Sequence, residues 1–520
     1  MIGKFRCVLG TVMAALTLVL AACGNNSATS TVATSTQRGT LVDTPPFRIA
    51  SLSAAALSAE LGASASGKQL LQLAGAPACG VDFYYMKYWT VGPDTASGAA
   101  PTEVSGALMV PTGSAAQCSG ARPIVLYAHG TQFDASANIA DVTNPANTEG
   151  AMIAAIFAAQ GDIVVAPNYA GYDISNLGYH PYLEATQNAD DMIDALAAAR
   201  AALPHTFTPG TTDSGSLFVT GYSEGGYVAM ATDKAMQAAG MTVTASAPMS
   251  GPYALEALFD AVMLGHVDLG STAFAPLITT SYQHEYGNIY QSPSDIYSAQ
   301  YASGIETLLP SLTPLTTLFQ QGKLPETALF SSSPPVTGTA LDAYLAVPTN
   351  PLFALGFGNP YLITNAYRLS YVEDAVANPD GAAMSAAAGI TPQTASQVAL
   401  AAAPQNTFRQ ALKANDMRDW TPQMPMLLCG GDQDPTVFFS LDTGTMAAYW
   451  STEVATGLVK VLDVNATPQA GDPFAPLETA FQQTEAQIAA TSGAQAAVAS
   501  YHATVAPFCA VAARSFFSQF

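Results

Sequence analysis

The stretch that most restricts this chain is Val219-Thr220-Gly221-Tyr222-Ser223-Glu224-Gly225-Gly226-Tyr227-Val228-Ala229. It begins in an apolar β-type run (Leu217, Phe218, Val219) and runs on into a helix-like segment, so the chain must turn abruptly from strand to helix. Gly221 and Gly225 bracket Ser223, and a Cβ at either place would block so sharp a turn. Such a turn lifts the Ser223 hydroxyl clear of the backbone. Gly226 falls where the new helix must pack closely on the sheet.

The rest of the chain supplies the sheet that such a turn needs. Alternating stretches at Val81 to Val91 and Val104 to Val110 predict an early antiparallel pair. Short apolar runs then follow at Ile124 to Tyr127, Ile163 to Ala166, Leu217 to Thr220, Val243 to Ala247, Met426 to Cys429 and Leu458 to Val464. Helical stretches at Glu149 to Ala159, Asp190 to Leu203 and Tyr227 to Ala239 separate several of them. Strand and helix in turn predict an α/β fold, a mostly parallel sheet flanked by helices. From Ala247 to Met424 there is little strand character. Helix-like pieces at Tyr253 to Leu264, Pro293 to Leu309 and Thr394 to Leu412 predict a large, mainly helical cap inserted after the sixth strand.

Three further pieces fall in order around the Ser223 turn. They are His129-Gly130-Thr131 after a strand, Pro167-Asn168-Tyr169-Ala170-Gly171-Tyr172 with His180-Pro181-Tyr182, and Gly431-Asp432-Gln433-Asp434-Pro435-Thr436-Val437. With the turn itself they resemble the α/β-hydrolase superfamily, and within it the secreted lipases and esterases whose nucleophile elbow reads G-Y-S-x-G-G. The resemblance covers most of the chain beyond its leader. One departure is Asn168, where the family usually has Asp. The resemblance implies an α/β-hydrolase fold and catalysis by Ser, Asp and His in that chain order. Because its pieces run from 129 to 502, one core in two parts (47–250 and 421–520) around a cap (251–420) fits better than two consecutive domains.

A serine hydroxyl is a weak nucleophile until a base takes its proton, and that base needs an orienting acid. Ser223 is the expected nucleophile. The family pattern G-x-x-D-x-x-V selects Asp434 as the acid, with Asp432 as its rival. Beyond Ser223 lie His266, His284 and His502; the first two fall in the cap, and His502 alone follows the acid. The loop His129-Gly130-Thr131 resembles the one that supplies half of an oxyanion hole, which assigns the two donors to the N–H groups of Thr131 and Glu224. His129 is expected to brace that loop, and His180 to pack beneath the elbow. The Glu224 side chain is read as a wet neighbour. Tyr282, Tyr286 and Tyr290 recur at helical spacing in the cap, as cap core or as part of an acyl pocket.

The N-terminus predicts export. Lys4 and Arg6, an apolar run to Leu20 and then Leu20-Ala21-Ala22-Cys23 form a leader with a lipobox. By resemblance to bacterial lipoproteins, residues 1–22 are removed and Cys23 becomes an acylated N-terminus, anchored in the cell envelope on its periplasmic or outer side. Residues 23–46, rich in Ser, Thr and Asn, are expected to be a flexible tether. Loss of Lys4 and Arg6 takes the net charge from −22 to −24, which argues against nucleic acid as a partner. Cys79, Cys118, Cys429 and Cys509 remain, an even number in an exported chain. If Asp434 and His502 meet, Cys429 and Cys509 lie close enough to pair, leaving Cys79 to Cys118. No C-x-x-C and no clustered histidines support a metal site, and no cofactor is implied.

Three functions remain open at this point. The first is a serine carboxylesterase or lipase acting on small-molecule or lipid esters. The second is a serine exopeptidase on the same fold, with Glu256, Glu285 or Glu306 anchoring a free amino terminus. The third is a surface lipoprotein that binds ligands without catalysis.

Overall fold

Strands buried on both faces read as continuous apolar runs, and those runs form the centre of the sheet. In the computed structural model, which describes residues 38–92, 101–208, 210–389 and 394–520, the strands of the main sheet are β1 (Phe47–Leu52), β2 (Gly80–Val91), β3 (Pro101–Thr112), β4 (Gly120–Ala128), β5 (Ile163–Pro167), β6 (Thr211–Tyr222), β7 (Ala245–Met249), β8 (Met426–Gly430) and β9 (Val459–Asp463). They make one nine-stranded sheet in the order β1-β2-β3-β5-β4-β6-β7-β8-β9. The β1/β2, β2/β3 and β3/β5 pairs are antiparallel and all later neighbours are parallel.

Alternation sorts the side chains between two cores. Ile124 and Leu126 of β4 pack with the helices Ala185–Ala202 and Glu224–Ala238. Val125 and Tyr127 pack with the helices Thr148–Ile156 and Ala494–Phe517 on the opposite face. The parallel strands therefore end together, and their carboxyl ends carry the loops after β4, β6 and β8.

Between β7 and β8 the chain adds no strand to this sheet. It forms mainly helices, among them Leu255–Met263, Ser271–Tyr286, Asn365–Ala377 and Thr407–Ala414. Buried ion pairs knit this region. Arg409 reaches Asp260 at 2.6 Å and Asp374 at 2.9 Å, and Arg418 reaches Asp416 at 2.7 Å and Asp380 at 2.8 Å. Removing one partner of such a pair strands a charge away from water, at a cost of about 3–5 kcal/mol.

The structure corrects several expectations. Phe47–Leu52 is a strand that the sequence pattern missed, so the cap follows the seventh strand; as a half-exposed edge, β1 shows no clean apolar alternation. Part of the expected tether is fixed: the Gly39 amide donates to the Trp89 carbonyl at 2.7 Å, and the Val42 amide donates to Lys87 at 2.8 Å. Arg38 pairs with Asp190 at 2.6 Å and Asp194 at 3.0 Å. Cys23 and the leader lie outside the described residues. Within the cap, Pro293 to Leu309 holds only single turns at Pro293–Asp295 and Ile305–Thr307, broken where Gly304 takes φ 79°. The helix expected from Thr394 begins only at Thr407, capped by Asn406.

Cys79 is joined to Cys118 and Cys429 to Cys509, with Cα separations of 5.4 and 5.6 Å. The second bridge ties the end of β8 to the C-terminal helix across 80 residues. Closing a loop of that length in the unfolded chain is worth about 4–5 kcal/mol. The Cys429→Ser, Cys509→Ser double variant should lose stability on that scale in chemical denaturation. An unchanged midpoint and slope would show that packing alone holds the two elements together.

Candidate active site

Ser223 sits at the junction of β6 and the helix Glu224–Ala238, with φ 60° and ψ −123°. For a residue with a Cβ this conformation costs about 1–3 kcal/mol and persists only where the surroundings impose it. The surroundings here are backbone. A Cβ on Gly225 would lie 2.0 Å from the Ala128 carbonyl oxygen, and one on Gly221 would lie 2.2 Å from the Gly225 oxygen. The start of the helix is therefore pressed against the end of β4. Gly226 meets the Met249 carbonyl oxygen at 2.4 Å in the same sense, so the elbow is wedged between β4 and β7.

Two loops converge on the serine. Oγ of Ser223 is 2.8 Å from His502 Nε2, and His502 Nδ1 is 2.6 Å from Asp434 Oδ2. The Asp434 side chain is fully buried, and its other oxygen accepts the Thr436 and Val437 amides at 2.9 and 3.1 Å. That leaves one carboxylate oxygen aimed at the imidazole. Asp432, the rival acid, is exposed, and its Oδ1 accepts from Asn465 Nδ2 at 2.7 Å. His502 projects from the long helix Ala494–Phe517, whose Cys509 carries the bridge to β8. Tyr222, inside the elbow, donates its hydroxyl to the His502 carbonyl. Spacing gave no sign of this brace, because position x of G-x-S-x-G admits any residue.

The loop after β4 faces the elbow. Its Gly130 amide is held by Glu149, at 3.1 and 3.3 Å, and Glu149 also accepts the Tyr127 hydroxyl at 2.7 Å. Burial pushes the Glu149 carboxyl above its ordinary range. The next amide, Thr131, and the Glu224 amide enter no hydrogen bond among the described residues, so both are open donors. His129 is buried and stacks on Tyr169 at 4.1 Å, with Nδ1 2.7 Å from the Gly130 oxygen. Asn168 serves as a structural link, accepting the Ile139 amide at 2.7 Å and donating to Ser105 Oγ at 2.8 Å.

One reading is overturned. The Glu224 side chain is wholly buried, not wet, and its Oε1 lies 2.6 Å from His180 Nε2. Sequence spacing could not show this, since His180 is 44 residues upstream.

Ser223 opens onto two spaces. An open cleft of about 760 Å³ holds Thr131, Tyr222, Ser223 and His502 and runs out between the helices Ala65–Ala74, Ala475–Ser492 and Ala494–Phe517. Among the described residues no Lys or Arg lines it. The second space, about 60 Å³, leads under the cap between mainly apolar walls that include Leu258, Phe259, Val262, Phe274 and Phe408. The tyrosine stripe does not contribute. Tyr282 donates to the Leu183 carbonyl at 3.0 Å, Tyr286 accepts from Asn415 at 2.8 Å and Tyr290 donates to Glu306 at 2.7 Å. Glu256, Glu285 and Glu306 line neither space. Glu256 is buried and accepts the Ala401 amide at 3.0 Å.

No protein-family model matches the chain, and no curated protein matches it in sequence. Among solved structures it is similar to the rice cell wall degrading esterase LipA from Xanthomonas oryzae, at 26% identity and a TM-score of 0.63 over 92% of this chain and 98% of that one. A single-residue mutant of that esterase gives 25% identity and a TM-score of 0.64 over 93% and 99%. A structure from Legionella pneumophila, 19% identical with a TM-score of 0.60 over 92% and 97%, is alike in fold. The sheet, its helical layers and these neighbours define an α/β-hydrolase fold of the lipase and esterase type.

The elbow sterics are directly testable. Gly225→Ala should abolish soluble expression or cut ester turnover by about 10²-fold, since a displaced elbow misaligns the reacting groups. Thermal melting and turnover on p-nitrophenyl acetate will decide, and a stable variant of wild-type activity would contradict the close approach to Ala128.

Proposed function

We propose that this protein is a serine carboxylic-ester hydrolase that works through a covalent acyl-enzyme. The observation that carries the proposal is the unbroken line of hydrogen bonds from Ser223 through His502 to buried Asp434, beside two uncommitted amides. A base within hydrogen-bond reach of the nucleophile, itself oriented by an acid, is the arrangement that acyl transfer needs. The likeness to an esterase over nearly the whole chain supports the same reading.

In this mechanism Oγ of Ser223 attacks the ester carbonyl carbon as His502 Nε2 takes its proton. Asp434 fixes the tautomer in which Nδ1 bears hydrogen and steadies the imidazolium. The oxyanion develops against the Thr131 and Glu224 amides, where each preorganised donor is worth about 3 kcal/mol. The intermediate collapses as His502 returns its proton to the leaving alcohol. Water then enters, and as His502 takes one of its protons the remaining hydroxide adds to the acyl carbon; collapse breaks the bond to Ser223 Oγ, which takes the proton back from His502 as the acid leaves. The apolar space under the cap suits the acyl chain, and the open cleft suits the alcohol portion. Nothing in the placement of Glu256, Glu285 or Glu306 favours the exopeptidase.

Export and anchoring belong to the proposal as well. Lys4, Arg6, the apolar run and Cys23 support lipid attachment at Cys23 in the cell envelope, and two disulfides fit an oxidising compartment. Cys23→Ser should move the protein from the membrane fraction to the soluble one; retention in the membrane would refute acylation there.

Ser223→Ala should fold normally and lose turnover by about 10⁴-fold or more, and Asp434→Asn should approach that loss. Asp432→Asn should stay within a few-fold of wild type. The reverse ranking of the two aspartates would transfer the orienting role to Asp432. Val262→Trp, which fills the space under the cap, should lower kcat/KM for p-nitrophenyl hexanoate by about tenfold or more while sparing the acetate. Equal losses on both esters would put the acyl chain elsewhere.

A further inference from the structure

Behind the elbow lies a second histidine and carboxylate that the reaction above does not use. His180 Nε2 and Glu224 Oε1 are 2.6 Å apart, and neither side chain reaches solvent. His180 Nδ1 is 2.9 Å from the Ala170 carbonyl oxygen. A carbonyl only accepts, so Nδ1 carries a hydrogen, and one further proton lies between Nε2 and Oε1. Their hydrogen bond is of the strong, charge-assisted kind and is closed off from solvent. Oε2 of Glu224 has no partner among the described residues, which leaves His180 as the polar anchor of this side chain.

Three tyrosines enclose the His180 ring. Tyr169 stacks on it at 5.6 Å, Tyr172 lies at 4.8 Å and Tyr182 meets it edge-on at 6.1 Å. Their hydroxyls all reach the loop after β4. Tyr169 donates to the His129 carbonyl at 3.0 Å and Tyr172 to the Gln132 carbonyl at 2.7 Å, while Tyr182 shares a hydrogen bond with Thr131 Oγ1 at 3.1 Å. Burial first, and the negative charge of Glu224 second, push all three phenols well above their ordinary value, which keeps each hydroxyl protonated.

The two amides assigned to the oxyanion hole come from segments 93 positions apart, Thr131 and Glu224. One block of side chains touches both. Glu224 carries the second amide on its own backbone, and the tyrosines packed around its partner hold the backbone on either side of Thr131. We propose that the buried His180–Glu224 pair is a positioning unit that sets the spacing of the two oxyanion donors. This inference rests on the ester-hydrolase reading. It explains a buried acid next to the nucleophile: a charge-assisted link fixes direction as well as distance, which an apolar side chain at 224 would not. An oxyanion donor acts only when it lies within hydrogen-bond distance of the developing charge, so a small displacement weakens the transition state more than the bound ester.

The test compares His180→Ala, Glu224→Ala, the double variant, Glu224→Asp and Glu224→Gln in the full chain. The measurements are kcat and KM on p-nitrophenyl acetate, the Ki of a trifluoromethyl ketone whose hemiketal oxygen occupies the hole, and the melting temperature. Each alanine variant should lower kcat by about 10²-fold with KM within about twofold, on the scale of losing one oxyanion donor. The ketone should weaken by a similar factor, and the double variant should be no worse than either single one. Glu224→Gln can still donate to Nε2 and should recover most of the loss. Glu224→Asp shortens the reach by one methylene and should show the loss even if the alanine variants do not fold. Wild-type kcat in any folded alanine or aspartate variant would overturn the proposal. So would a loss that leaves ketone binding intact. A wild-type protein that hydrolyses no p-nitrophenyl ester would overturn the functional reading and this one with it, and the wild-type control tells the two failures apart.

Discussion

The imidazole of His502 is held at both nitrogens, and much of the surrounding fold serves to place its two partners. The ring lies between Ser223 at 2.8 Å and Asp434 at 2.6 Å, groups brought from the loops after β6 and β8. Each contact is supported from behind. The serine is fixed by the backbone crossing at Gly221 and Gly225, the acid by two amides of its own loop, and the histidine by Tyr222 and the Cys429–Cys509 bridge. Parallel strands make this possible, because their carboxyl ends present several loops on one edge of the sheet.

The mainly helical segment between β7 and β8 stands apart from these three residues. It contributes no member of the Ser223, His502 and Asp434 constellation, yet its helix Leu255–Met263 supplies much of the wall beside Ser223. Arg409 pairs with Asp260 of that helix, and Arg418 pairs with Asp416, which accepts the Glu256 amide of the same helix; these carboxylates would be costly to bury alone. A chain with only 10% charged residues therefore commits several of them to its interior. The space this fixes is small and apolar, and the cleft on the other side of Ser223 is wide, so the two differ in size on opposite sides of the serine.

Much of this was legible in the sequence, for stated reasons. Apolar runs of strand length at β4 to β8 were visible because both faces of those strands are buried. Asp434 stands out in the sequence through the G-x-x-D-x-x-V resemblance and His502 through chain order, and the cysteine pairing rests on the two of them meeting. What escaped notice depended on distant contacts. β1 is an edge strand whose pairing with β2 outweighs a weak pattern. The tyrosine stripe packs and bonds within the cap rather than lining the space beside Ser223, since helical spacing names a face but not what that face meets. The Glu224 side chain reads as solvated from sequence because its partner, His180, lies 44 residues away.

The central claim is that Ser223 is the one hydroxyl activated for attack on an ester carbonyl. Treating the intact protein with a fluorophosphonate and mapping the modified peptide by mass spectrometry tests it most directly. The expected result is a single adduct, located on Ser223 and prevented by prior incubation with an ester substrate. No adduct, or one located on another residue, would contradict it.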